Sequence, residues 1–278
     1  MTLAEPEVIA ELASPPRVRG KRTFAFLHPA KWMPLVLMLA VLGALWQWGA
    51  DRMPYLLPPL GDIGQTLTED AGYYLENALV TLREAVGGLA IGTAVAFVLA
   101  VVVSEFTLAR RAIMPVAVIL NVTPLVAIAP ALVVAFGFGA APKLIVTGLI
   151  CFFPVLINMS TGLRAVPVPV LQVYQTMHAS RLETLWYIRV PSSLPYLFAA
   201  LRIVFPLSVV GAVVAELSAA GSAKGLGTAI SLASSMNRLA AVYASIAILA
   251  VLGSLLLLIV TLLERRLLHW HETRQGIK

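Results

Sequence analysis

LAAVYASIAILAVLGSLLLLIVTLL, residues 239–263, runs for twenty-five residues without one Asp, Glu, Lys or Arg. Wound as an α-helix at 1.5 Å per residue it is about 37 Å long, more than the roughly 30 Å of hydrocarbon in a bilayer. Four more uncharged runs follow the same logic: residues 32–50, 85–104, 112–142 and 144–163. A sixth, 195–218, is apolar except for Arg202 and Glu216. With hydrophobic residues at 59% and charged residues at 12%, the chain has too little polar surface to solvate a water-soluble globule. Barrel strands would alternate apolar and polar residues in segments of about ten, and these runs do not. The sequence therefore predicts an all-α integral membrane protein with about six transmembrane helices, each satisfying its own backbone in lipid.

The net charge of +6 is distributed as a topology signal rather than as a nucleic-acid patch. With both termini in the cytoplasm, fourteen Lys and Arg residues gather on the inner side: five in the tail, Arg110 and Arg111, Arg164, Arg181 and Arg189, and four at the C-terminus. The opposite side receives five, Arg52, Arg83, Lys143, Lys224 and Arg238. The positive-inside rule then places both termini in the cytoplasm. Residues 1–31 are expected as a cytoplasmic N-terminal tail, with no cleavable signal because Pro15-Pro16 and mixed charge leave no apolar core. Residues 32–278 form the membrane domain. Trp46, Trp48 and Tyr55 sit where an interfacial aromatic belt would lie. Cys151, the single cysteine, falls in an apolar run and excludes an intrachain disulfide.

Within the spans, Gly88, Gly92, Ala96 and Ala100 clear a smooth stripe along one helix face, against which a neighbour packs closely. Pro115, Pro124, Pro130 and Pro154 bend the third and fourth spans, with Asn121, Thr123, Asn158, Ser160 and Thr161 nearby. Such groups persist in lipid where a neighbouring helix or a wet cavity satisfies them. Asn121, Thr123 and Asn158 are therefore pathway candidates, with kinked packing as the other reading. Arg202 and Glu216 lie fourteen residues apart, about 21 Å along the fifth span, so each needs its own partner. Arg202 serves as a snorkelling or structural group or in the pathway. Glu216 holds an outer gate, meets an external protein or pairs with Lys224.

Between the fourth and fifth spans lies VPVPVLQVYQTMHASRLETLWYIRVPSSLPYLFAALR, residues 166–202. It is too polar to cross and too patterned for a plain loop. Leu171, Tyr174 and Met177 share a face of one short helix. Ser180 and Glu183 then form an S-x-x-E capping box for a second, with Leu182, Leu185 and Trp186 as its stripe, ended by Pro191. The segment, about 168–190, is either a rigid knob presented to a cytosolic partner or an amphipathic pair lying on the membrane.

This segment resembles the EAA loop of ABC importer permeases, whose pattern is Glu-Ala-Ala, three residues, Gly, nine residues, Ile, one residue, Leu-Pro. Gln172, Val173 and Tyr174 stand at the Glu-Ala-Ala positions, His178 at the glycine, and Ile188 with Val190-Pro191 at the close. His178 departs from the pattern where a left-handed residue is needed, which His adopts at a cost. TPLVAIAPALVVAFGFGAAPK (123–143), ICFFPVLIN, GLRAV, SLPYLFAALRI, GAVVAE and GLG at 225–227 are similar to the permease branch serving nitrate, sulfonate, taurine, riboflavin and thiamine-pyrimidine-precursor importers. The resemblance covers about residues 75–270. It implies a type I importer half: a permease subunit in the bacterial inner membrane, working with a second permease chain, expected as a homodimer, two ABC ATPase subunits and an extracytoplasmic substrate-binding protein. Gln172, Tyr174, Met177, His178, Ala179, Ser180 and Glu183 would then couple to the ATPase.

Two near-motifs carry no chemistry. Gly137-Phe-Gly-Ala-Ala-Pro-Lys143 has Pro142 where a phosphate loop needs glycine and no hydroxyl residue after Lys143, and reads as an outside turn. His269 and His271 are two apart on a terminal helix and point away from one another. No cofactor, metal, nucleic acid or catalytic residue is expected, so ATP is handled by another chain. The competing function classes are an ion-coupled secondary transporter, for which only Arg202 and Glu216 are intramembrane candidates, and an intramembrane enzyme, for which no facing His or Asp lies in a span. The transported solute is not readable from these residues.

Overall fold

The computed structural model describes residues 29–219 and 224–268. The tail at 1–28 and the pair His269 and His271 lie outside the described residues. All described regular structure is helical. Five helices are long and apolar enough to cross a membrane, or six when one bent pair counts as a single span.

The first helix, α1 (Pro29–Arg52), forms a unit of its own. From Met33 to Leu45 its large apolar side chains are exposed, as a helix facing lipid requires. Near its end Arg52 sits 5.1 Å over the Trp48 ring, an interfacial cation–π pair.

The remainder is built around α6 (Ala140–Gly162), clasped between α3 (Ala71–Glu105) and α9 (Val190–Ser218). The stripe Gly88, Gly92, Ala96 and Ala100 is buried along α3. A Cβ on Gly88 would stand 2.5 Å from Thr147 Cβ, and one on Gly92 2.3 Å from the Gly148 carbonyl oxygen. On the other flank, a Cβ on Gly211 of α9 would reach 3.1 Å from Thr147 Cα. Backbone therefore meets backbone on both sides of α6, the contact that replaces the hydrophobic effect between helices in lipid. Cys151, Val155, Leu156 and Met159 then fill the centre with Ala96 and Ala100 of α3 and Ala200 and Val204 of α9.

The prolines of the uncharged run 112–142 predict one bent span; the structure bends it sharply enough to divide it. α4 (Thr107–Val122) and α5 (Leu125–Phe136) meet at 96°. The cause is Pro124, which has no N–H to donate and pushes the preceding residue out of the helical region. Thr123 is accordingly extended, at φ −67° and ψ 131°, with its N–H on Ile119 and Leu120 carbonyls. At about 24 and 18 Å, neither piece crosses a bilayer alone.

Short elements close the two ends. α2 (Leu60–Glu69) follows Pro59 and packs on α3 and α11 (Leu239–Leu267). α10 (Leu226–Ser235) packs between α9 and α11 and is too short to span. It ends in a left-handed Asn237 (φ 59°), with Arg238 N–H donating to Ala233 O at 2.9 Å.

Candidate functional site

At the end of α9 the chain places three ionisable side chains in the interior. Lys143, near the start of α6, is 1% exposed and donates to Glu84 Oε1 of α3 at 2.7 Å. Its Nζ lies 3.3 Å from the Lys224 carbonyl oxygen. Glu216, fully buried, accepts from Thr81 Oγ1 at 2.7 Å and from the Gly227 N–H at 2.5 Å. The Gly225 N–H donates to Asn77 Oδ1 (2.7 Å) and the Leu226 N–H to Thr81 Oγ1 (2.8 Å). Three successive N–H groups opening α10 thus find partners on α3 and α9. Those groups have no partner within their own helix, and a carboxylate also suits the positive end of the helix dipole. Gly225 is at φ 146°, and a Cβ there would lie 2.2 Å from Glu216 Oε1, so this turn admits only glycine.

Several expectations change here. Lys143 lies in a helix and not in an outside turn, because α6 begins at Ala140. Glu216 does not pair with Lys224, whose ammonium meets Glu76 instead. Sequence reasoning missed Glu84, Thr81 and Asn77 altogether, although a signal existed. The small-residue stripe extended backwards in helical steps from Gly88 reaches Glu84, Thr81 and Asn77, the face that α3 buries.

The other candidates do not converge. Asn121 is exposed. Thr123 Oγ1 donates to Ile119 O at 3.1 Å, and Asn158 Nδ2 to Pro154 O at 2.8 Å, each serving its own helix. Arg202, half-exposed, places Nε 2.5 Å from Glu264 Oε2 of α11. Among the described residues no group of three or more His, Cys, Asp or Glu would hold a metal ion.

At the opposite end of the bundle, where α6 finishes and α9 begins, lies the segment 168–190. α7 (Val168–Thr176) carries Gln172 and Tyr174 and stops in a Schellman turn. The Ala179 N–H donates to Tyr174 O (3.1 Å) and the His178 N–H to Gln175 O (3.0 Å), with His178 left-handed at φ 56°. Ser180 then caps α8 (Arg181–Thr184): the Glu183 N–H donates to Ser180 Oγ (3.2 Å) and the Ser180 N–H to Glu183 Oε2 (2.7 Å). Pro191 was expected to end this helix, but the chain continues through one π-helical turn, Leu185–Arg189, into α9. A regular α-turn would set the Pro191 ring against the Tyr187 carbonyl. The wider turn shifts the pairing by one residue, so the Val190 N–H reaches Leu185 O. Leu185 and Ile188 are buried pegs, whereas Met177, Leu182 and Trp186 project outward at 71%, 68% and 56% exposure.

Residues 88–269 match the family model described as the binding-protein-dependent transport system inner membrane component. The chain belongs to this family of ABC importer permeases. It is 32% identical over 265 residues to the riboflavin transport system permease protein RibX of Chloroflexus aurantiacus, covering 93% of this chain and 96% of that one. It is 30% identical to the formylaminopyrimidine transport permease protein ThiX of Halalkalibacterium halodurans, over 91% and 99% of the two chains. The taurine transport system permease protein TauC of Escherichia coli is 30% identical over 80% of this chain and 77% of its own. The permease is thus a multi-pass membrane protein of a family that imports small solutes. Its match begins at Gly88, so Asn77, Thr81 and Glu84 precede it while Lys143 and Glu216 fall inside.

Proposed function

We propose that this permease is the non-catalytic transmembrane subunit of an ATP-driven importer, moving a small solute delivered by a binding protein and coupled to a separate ATPase through residues 171–189. The observation that carries the reading is the capped double turn at His178–Ser180. It is rigid by its hydrogen bonds, stands at one end of the bundle and turns Met177, Leu182 and Trp186 outward. A turn held at both sides presents a fixed shape to a partner at little ordering cost. Gln172, Tyr174, Met177, His178, Ala179, Ser180 and Glu183 are the contact residues proposed for the ATPase. The distribution of Lys and Arg supports a cytoplasmic position for this turn and for both termini, in a bacterial inner membrane. The remaining outside set lacks Lys143, which is buried in α6, and that sharpens the bias. Two such chains, as a homodimer, would face one another with two ATPase subunits. The names of the relatives support a small organic solute as cargo.

The test is Ala179→Arg in the assembled complex. A charge introduced into a close, water-poor contact costs several kcal/mol, which weakens association by orders of magnitude. ATPase subunits should copurify with the parent and not with the variant, while both insert normally into the membrane. Equal copurification would remove the coupling role from this turn.

A further inference from the structure

Arg189 closes the π-helical turn, and its Nη1 lies 2.5 Å from Oε1 of Glu105, the last residue of α3. The two residues are 84 positions apart in sequence, and their side chains are 24% and 21% exposed, so water screens the pair only in part. Packing at this corner is incomplete on one side. A groove of about 300 Å³ lies beside the pair, bounded by Val101, Val102, Glu105, Phe106, Arg181 and Leu182. Leu185, which also lines this groove, and the ion pair both tie the double turn to α3. From Glu105 the same uninterrupted helix runs back to Glu84, Thr81 and Asn77, about 32 to 42 Å away. Along the way its glycine face sits on the α6 backbone, where little give is available. Its far end holds two of the three N–H groups that open α10, those of Gly225 and Leu226, and Thr81 also binds Glu216 of α9, which holds the third.

We infer that the Glu105–Arg189 pair is the joint that passes movement of the segment 168–190 into α3, and that α3 acts as a rod delivering it to the Asn77–Thr81–Glu216 hold on α10. This rests on the coupling role proposed above. The covalent route into α9 passes through the widened π turn and holds one α10 amide, that of Gly227, through Glu216, whereas α3 holds the Gly225 and Leu226 amides directly. Glu105 and Arg189 are therefore positioning residues: they touch neither nucleotide nor solute.

The experiment uses the complete complex in vesicles and reads amide hydrogen exchange at residues 225–227, with and without MgATP and vanadate. The parent should change protection at these amides by about tenfold between the two states. Glu105→Gln and Arg189→Gln should retain bound ATPase but reduce that change to less than about twofold, and the reversed pair Glu105→Arg with Arg189→Glu should restore most of it. Arg189→Lys, which keeps the charge, should stay close to the parent, and this separates loss of the joint from loss of fold. Single variants that respond like the parent, or a reversed pair no better than the singles, would overturn the joint. A parent that binds ATPase without any change at 225–227 would overturn the rod while leaving the coupling role standing. A parent that binds no ATPase would overturn both.

Discussion

Replacing Lys143 with Met removes one charge from a pair that the bundle has enclosed, and leaves the other. Lys143 and Glu84 are 2% and 10% exposed at the side chain and meet at 2.7 Å. Taking away one member of a buried pair costs about 3–5 kcal/mol, because the remaining carboxylate is left dry beside a second one, Glu216, with no cation to offset it. Met fills the space of the Lys stem, so little of that loss is cavity. Glu84→Gln in the Lys143→Met background removes the stranded carboxylate. What remains is the unsatisfied amide and the Lys224 carbonyl oxygen, about 1–3 kcal/mol. The double variant should therefore be more stable than the single by about 2 kcal/mol. In detergent, thermal unfolding followed by loss of the monodisperse peak should drop by roughly 10 °C for Lys143→Met, at about 2–4 °C per kcal/mol. Half or more of this should return in the double variant. If the two variants melt together, or if Lys143→Met melts with the parent, the charges are not held dry and the reasoning fails.

Gly92→Val should separate α3 from α6, since even a Cβ would stand 2.3 Å from the Gly148 carbonyl. A loss of about 3 kcal/mol is expected in the same melting assay, whereas Gly253→Ala, with nothing within 4 Å, should gain about 0.5–1 kcal/mol. His178→Gly should relieve the left-handed position (φ 56°) and stabilise the turn by about 1 kcal/mol, read as slower proteolysis at residues 176–181. Ser180→Ala should weaken the turn by about 1 kcal/mol and lower ATPase copurification mildly, well short of Ala179→Arg. A cysteine at Gly61 should react with an impermeant thiol reagent in intact cells and cysteines at Ser14 and Gln275 should not; the reverse pattern would invert the topology.

Helical class and the five or six apolar spans were legible in composition, because lipid leaves a chain few options for its backbone. The stripe Gly88–Ala100 was legible for a similar reason: periodicity on one helix reports the face that another helix occupies. The capping box at Ser180 and Glu183 and the left-handed His178 were legible too, since these bonds close within a few residues. The break at Pro124 carried a local signal, but whether a proline bends a span slightly or by 96° depends on what the neighbouring helices offer the freed groups. Pro191 misled for the same reason, the π turn being a response to its continuation into α9. The buried charges were the least legible. Lys143 stood between two uncharged runs and Glu84 at the edge of another, where charges usually mark loops. Their pairing spans 59 residues and that of Thr81 with Glu216 spans 135. Patterns that close within a helical turn are written in the sequence alone; a contact between distant segments exists only once α3, α6 and α9 have packed, and at this end of the bundle the packing decided which charges became buried.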